Sequence, residues 1–161
     1  MNGSGDLRRI LAAEAKHYAE AQAIPHCLSY GDSPVVCFHP YDGETRHGNF
    51  LNRSYKAIRS RPEWRKRVEK VHTLGKRSFP VRERGRWMEL DTSTSSDALL
   101  MNIFCCPGVL RDSRILALVG AEPGTTPEFG YKARVPLRSG RLDRTEVDLK
   151  LGNVLIEAKL T

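Results

Sequence analysis

The stretch Thr145–Thr161, TEVDLKLGNVLIEAKLT, decides how the rest of the chain is read. It consists of two short alternating runs joined by Gly152-Asn153. Both joining residues tolerate positive φ, so the stretch predicts a hairpin. A two-residue loop fixes the register: Leu151 opposite Val154, Leu149 opposite Ile156, and Val147 opposite Ala158. That face is wholly apolar and belongs on a core. The other face sets Asp148 across from Glu157 and Glu146 across from Lys159. Facing strand positions hold their Cβ atoms roughly 4.5–5.5 Å apart, and like charges there repel. Two opposed carboxylates therefore call for a cation, and oxygen donors at that spacing suit Mg²⁺ or Mn²⁺. Lys159 shares the face, where its ammonium can orient a water or stabilise charge developing on a phosphate. The plain alternative is an ordinary solvent-facing strand, with Glu146 and Lys159 as a surface pair of little energetic weight. It accounts poorly for the apposition of Asp148 and Glu157.

Asp148, the eight residues after it and then Glu157-Ala158-Lys159 resemble the D…(D/E)xK signature of the PD-(D/E)XK, or restriction-endonuclease-like, nuclease superfamily, with Val147 where the usual proline stands. The upstream sequence is similar to a bacterial subgroup with a helical N-terminal part. The resemblance implies metal-dependent hydrolysis of DNA phosphodiesters. It makes Asp148 and Glu157 the metal ligands and, with Lys159, the catalytic residues. Glu146 either assists them or only pairs with Lys159. The implied cofactor is Mg²⁺ or Mn²⁺ and the implied partner is DNA. Superfamily members often carry an acidic residue in the helix before the first core strand, for which Glu89 and Asp91 are candidates. Glu128 is a candidate for a further ligand by analogy.

The implied fold is α/β (α+β): a restriction-endonuclease-like core, a helix and then a three-stranded sheet, with an N-terminal helical region. The expected division is residues 1–90, mainly helical and basic, and residues 91–161, a partial nuclease core. The superfamily core continues past the lysine-bearing strand with a helix and another strand, whereas the sequence stops at Thr161. The expectation is therefore a core truncated after the catalytic strand, a fragment of a longer reading frame, or a fold completed by a partner chain or a homo-oligomer. A Mg-dependent deoxyribonuclease and the N-terminal part of one both remain open. So do two readings of other classes: a non-catalytic DNA-binding or interaction protein with a nuclease-like fold, and a metal-dependent phosphohydrolase acting on small substrates.

Composition agrees with a globular chain and a polyanionic partner. A length of 161 residues suffices for a real core, and 40% apolar with 28% charged residues is usual for a globular protein. The formal charge of +7 favours nucleic acid among partners. Four cysteines, two of them adjacent at Cys105-Cys106, make no disulfide framework, which points to a reducing cytoplasm. No stretch is long and apolar enough for a signal peptide or a membrane span.

Residues 6–23 predict an amphipathic helix with Leu7, Leu11 and Tyr18 near one stripe, ended by Pro25. Residues 24–49 are rich in Pro and Gly, with a short strand expected at Val35–Phe38. His26-Cys27 and Cys37-x-His39 lack the spacing of a zinc finger. Residues 50–77 form the basic region. Pro62 opens a helix there, with Trp64, Val68 and Val71 as its apolar stripe and the cations on its other faces. Arg61, Arg65, Lys66, Arg67, Lys70, Lys76 and Arg77 are the candidate DNA-phosphate contacts; the alternative is a solvated helix face. His47 and His72 flank this region with packing or surface roles. Ser95 or Ser96 caps a helix running into Ala98–Met101. Pro107-Gly108 breaks it, and Val109–Val119 is expected to form a second helix. A strand follows at Glu128–Leu137, and Ser139-Gly140 begins the turn into the final hairpin.

Overall fold

The computed structural model describes residues 3–73, 78–82, 85–143 and 145–160. The chain is α+β, with helices around small antiparallel sheets. In chain order the elements are α1 (Gly3–Ala21), β1 (His26–Leu28), β2 (Val36–Phe38), β3 (Pro40–Tyr41), β4 (Arg46–His47), α2 (Asn52–Ser60), α3 (Pro62–Val68), a 3₁₀ turn (Glu89–Asp91), α4 (Ser96–Phe104), a second 3₁₀ turn (Val109–Arg111), α5 (Ser113–Leu118), β5 (Pro127–Lys132), β6 (Val135–Pro136), β7 (Leu142–Asp143), β8 (Glu146–Leu151) and β9 (Val154–Ile156). The largest sheet has the order β5-β8-β9.

The terminal hairpin forms in the expected register, with Leu149 opposite Ile156 and Leu151 opposite Val154. Gly152 takes the positive φ (+56°) that the tight turn requires. The apolar face is core: Leu149 and Leu151 are buried with Leu100, Phe104 and Leu116, and Ile156 and Ala158 pack against them. A second cluster joins Phe50, Tyr55, Ile58, Trp64 and Val68 to Leu90, Ala98, Met101 and Cys105, with Phe129 against it. The basic helices and the sheet thus share apolar packing through Phe129. Trp64 fixes that contact with an edge-on ring at 6.4 Å from Phe129 and an Nε1–H donated to the Pro127 carbonyl at 3.3 Å.

Several expected elements are shorter or divided. The ladder of the hairpin stops at Ile156, so the pairs Val147–Ala158, Asp148–Glu157 and Glu146–Lys159 are not formed within it. The stretch 128–137 is two strands, because Arg134 turns at φ +53° and Val135–Pro136 pairs with Leu142–Asp143 in a hairpin of its own. The stretch 109–119 is also divided: Asp112 caps α5 by accepting from the Arg114 N–H. Ser95 caps α4, accepting from Ala98 N. In α1, Ala19 is buried against Val36 and Phe38, whereas Leu7, Ile10, Leu11 and Tyr18 stay exposed. The four cysteines are free thiols; Cys27 stands opposite Cys37 in the β1–β2 pair, where burial pushes the Cys37 thiol up to about 12. Among the described residues no helix is long and apolar enough to cross a membrane.

Candidate functional site

The polar face of β8 opens on a cavity of about 380 Å³. The last turn of α3 and Lys70 beyond it bound one side, Glu89 of the 3₁₀ turn another, and the start of α4 a third; Glu146 and Asp148 project from the sheet. Arg67 is the centre of this arrangement. Its guanidinium bonds Asp97 through one terminal nitrogen and Glu146 through the other, and its side chain is only 9% exposed. Lys70 adds a second bridge, with Nζ 2.9 Å from Glu146 and 3.1 Å from Glu89.

Gly130 of β5 makes room for the bridge. Its φ is +68°, and a Cβ there would lie 2.9 Å from Arg67 Nη1 and 3.2 Å from the Glu146 carboxylate. A side chain at this point of the sheet would push the ion pair apart.

The charges respond to their surroundings in opposite directions. Burial raises the Asp97 carboxyl and outweighs the pull of Arg67; the charge of Asp148 adds to the rise. Burial also acts to raise Glu146, but hydrogen bonds from Lys70 and Arg67 prevail and hold it below the usual glutamate value. Burial works against the charge of Arg67, but the neighbouring Asp97 and Glu146 more than restore it. One oxygen of Asp97, Oδ1, and the Arg67 Nε are buried without hydrogen-bond partners among the described residues. A buried carboxylate oxygen in that state is costly unless a cation or a water meets it.

Asp148 lies on the same wall. Its Oδ2 accepts the Ala158 N–H at 2.9 Å, across the strands where the ladder has stopped. Among the described residues its other oxygen has no hydrogen-bond partner. The carboxylate thereby holds the Glu157-Ala158-Lys159 segment beside β8, although Glu157 and Lys159 are exposed and do not line the cavity.

The remaining expected residues fall in several places. Glu146 turns to Arg67 and Lys70 rather than to Lys159. Arg61, Arg65 and Lys66 are exposed on α3 or at its start; Arg61 lies over the Trp64 ring at 4.3 Å. Arg67 and Lys70 face the carboxylates. Lys76 and Arg77 lie outside the described residues. Glu89 lines the cavity, but Asp91 is buried elsewhere, accepting from His47 Nε2 and Arg82. Glu128 bonds Lys150 on an exposed part of the sheet. Asp97 escaped the sequence reading, because an acid in the first turn of a capped helix is ordinary. The inward turn of Arg67 did leave a trace: it stands three residues after Trp64 and beside Val68, on the apolar stripe.

As a magnesium site the donors fit by type, carboxylates being the hard oxygen ligands that Mg²⁺ takes one or two at a time alongside water and phosphate. The unpartnered Asp97 Oδ1 is a further such donor. Among the described residues no group of three or more Asp, Glu, His or Cys side chains is drawn together as a metal cluster.

A basic α+β chain with this cavity falls, over most of its length, within the restriction-endonuclease-like class. Residues 12–161 match the family described as "Restriction Endonuclease associating with ARP", and the chain belongs to that family. Membership implies DNA as the molecule it engages. No curated protein and no solved structure matches it.

Proposed function

We propose that the protein is a metal-dependent DNA endonuclease, or the part of one that carries its catalytic carboxylates. The observation that carries this reading is the place of Asp148, on the wall of the polar cavity and hydrogen-bonded to the segment that bears Glu157 and Lys159, in a chain matched almost end to end by a restriction-endonuclease family.

Asp148 and Glu157 would hold Mg²⁺ or Mn²⁺, with Asp97, which lines the same cavity as Asp148, as a further candidate carboxylate. A bound ion of this kind activates water and offsets charge on a phosphate. Asp148 has a second task, since its bond to Ala158 N orients the segment on which Glu157 and Lys159 stand. Lys159 would place its ammonium against the scissile phosphate or the attacking water. Arg67 and Lys70 keep Glu146, Glu89 and Asp97 neutralised, so the cavity does not repel the DNA backbone. Arg61, Arg65 and Lys66, exposed on the adjoining helix, would bear on phosphates away from the reacting one. The family's description names an association with ARP, and a partner chain is proposed for this protein on that ground.

Plasmid nicking with Mg²⁺, Mn²⁺ or EDTA tests the reading, run beside Asp148→Asn and Glu157→Ala. Cleavage that requires metal and is lost in both variants is the expected result. Cleavage unchanged in Glu157→Ala would remove that residue from the site. A folded protein that binds DNA and never cleaves it would favour the non-catalytic alternative.

A further inference from the structure

Next to the acidic cavity, and sharing His72 with it, lies a larger pocket of about 600 Å³. Its walls include His72, Phe79, Val81, Arg82, Arg86 and Trp87. The rings stand in a row: His72 and Phe79 have centroids 4.8 Å apart, and Phe79 and Trp87 6.0 Å. The Arg82 guanidinium covers Trp87 at 4.7 Å. Hydrogen bonds fix these walls. Trp87 Nε1 donates to the Pro80 carbonyl at 2.8 Å, and Arg82 donates to the Arg86 carbonyl at 2.8 Å and to Asp91 at 3.1 Å. Among the described residues, those lining the pocket include Arg82 and Arg86 and no carboxylate.

Aromatic rings and guanidinium planes are the surfaces on which unpaired nucleobases stack, and a positive rim attracts the phosphates on either side. The pocket is far larger than a water site and is built from both kinds of surface. A base inside a duplex is already stacked on its neighbours and cannot enter. His72 lines both spaces, so the pocket and the carboxylate cavity adjoin, and a strand with a base in the pocket passes close to the carboxylates. We propose that this pocket receives an unpaired nucleobase of the bound DNA, stacked against Trp87 and Arg82, and so gives the protein a preference for DNA that is locally single-stranded beside the cleavage site. The inference rests on the DNA-engaging reading above and adds the structural class of the substrate.

The test is binding in EDTA, where no cleavage occurs, by fluorescence anisotropy. Three oligonucleotides of one sequence are compared: a full duplex, the duplex with one unpaired 2-aminopurine, and the single strand. The unpaired and single-stranded forms should bind about tenfold more tightly than the duplex, as base–aromatic stacking allows, with quenching of the 2-aminopurine. Trp87→Ala should lose both the preference and the quenching, and Trp87→Phe should keep them. Val81 is 97% exposed, so Val81→Glu sets a carboxylate at the pocket without disturbing the core; it should also lose the preference, which covers a Trp87→Ala variant that fails to fold. Equal affinity for all three DNAs, or a preference that survives in folded Val81→Glu, overturns the inference and leaves the nuclease reading intact. No binding to any of the three overturns both.

Discussion

Replacing Arg67 with methionine probes the ion-pair centre. The side chains involved are 9%, 11% and 27% exposed for Arg67, Asp97 and Glu146. Removing one partner from a buried pair costs about 3–5 kcal/mol, because the other charge is left without compensation. Two features place this case at the lower end. Glu146 retains Lys70 at 2.9 Å, and Asp97 already sits above its usual pKa and can take a proton. The expected loss is therefore about 3 kcal/mol, or a fall in Tm of roughly 6–12 °C for a chain of this size. The pH dependence follows from Asp97. A carboxyl whose folded pKa is raised costs stability as pH rises from its unfolded to its folded value. Without Arg67, which pulls it down, Asp97 rises further. The destabilisation by Arg67→Met should thus be largest above the folded pKa of Asp97 and shrink as pH falls through it. Glu146 has the opposite sign: its depressed pKa supplies stability above the unfolded value that is lost as pH falls through the folded one. Urea unfolding followed by circular dichroism at two pH values measures all of this. Asp97→Asn introduced into Arg67→Met should recover at least about 1 kcal/mol, as coupled neighbours do. A midpoint unchanged by Arg67→Met, or no recovery in the double variant, would refute the view that this buried pair joins α3 to α4.

Gly130→Ala should cost about 1–3 kcal/mol, from a left-handed backbone that alanine resists and from pressure on the Arg67–Glu146 bridge; thermal unfolding reads it, and an unchanged Tm would mean the backbone at 130 relaxes freely. Replacing Arg61, Arg65 and Lys66 together by alanine should flatten the plot of log affinity for DNA against log salt by about 2–3, near 0.9 for each phosphate no longer neutralised. An unaltered slope would mean that this helix faces away from the DNA.

The hairpin was legible because Gly152-Asn153 fixes a register and the alternation on either side agrees with it. What alternation could not show was where the pairing stops. Asp148 takes the Ala158 N–H with its side chain, so the segment stays close to β8 without extending the ladder. The helix starts at Pro62 and Ser95 were readable from local chemistry, proline's fixed φ in one case and a hydroxyl capping free N–H groups in the other. The cavity was not. Asp97 looks like any acid at a helix start, and Arg67 like one cation among many in the basic region. Long-range packing, with Trp64 against Phe129 and bonded to the Pro127 carbonyl, brings the end of α3 over the sheet and gives those two residues each other. The strand break at Arg134 was hidden for a different reason, since positive φ outside glycine has no reliable signature.

Asp148 has a consequence for how the site is taken apart. One of its oxygens fixes the backbone at Ala158 and the other is unclaimed among the described residues. Substituting Asp148 therefore removes a proposed ligand and also frees the segment carrying Glu157 and Lys159. Substituting Glu157, which is exposed and absent from the cavity wall, removes a ligand alone. If both residues serve one ion, the two variants should be equally inactive, but only Asp148→Ala should loosen the segment that follows β9. Asn at 148 retains an amide oxygen that can accept from Ala158 N, so Asp148→Asn should keep that segment in place while losing the charge. Amide exchange at Ala158 separates these cases: protection retained in Asp148→Asn and lost in Asp148→Ala would divide the scaffold role of this carboxylate from its chemistry. Equal protection in both would mean that the segment is held by something other than Asp148.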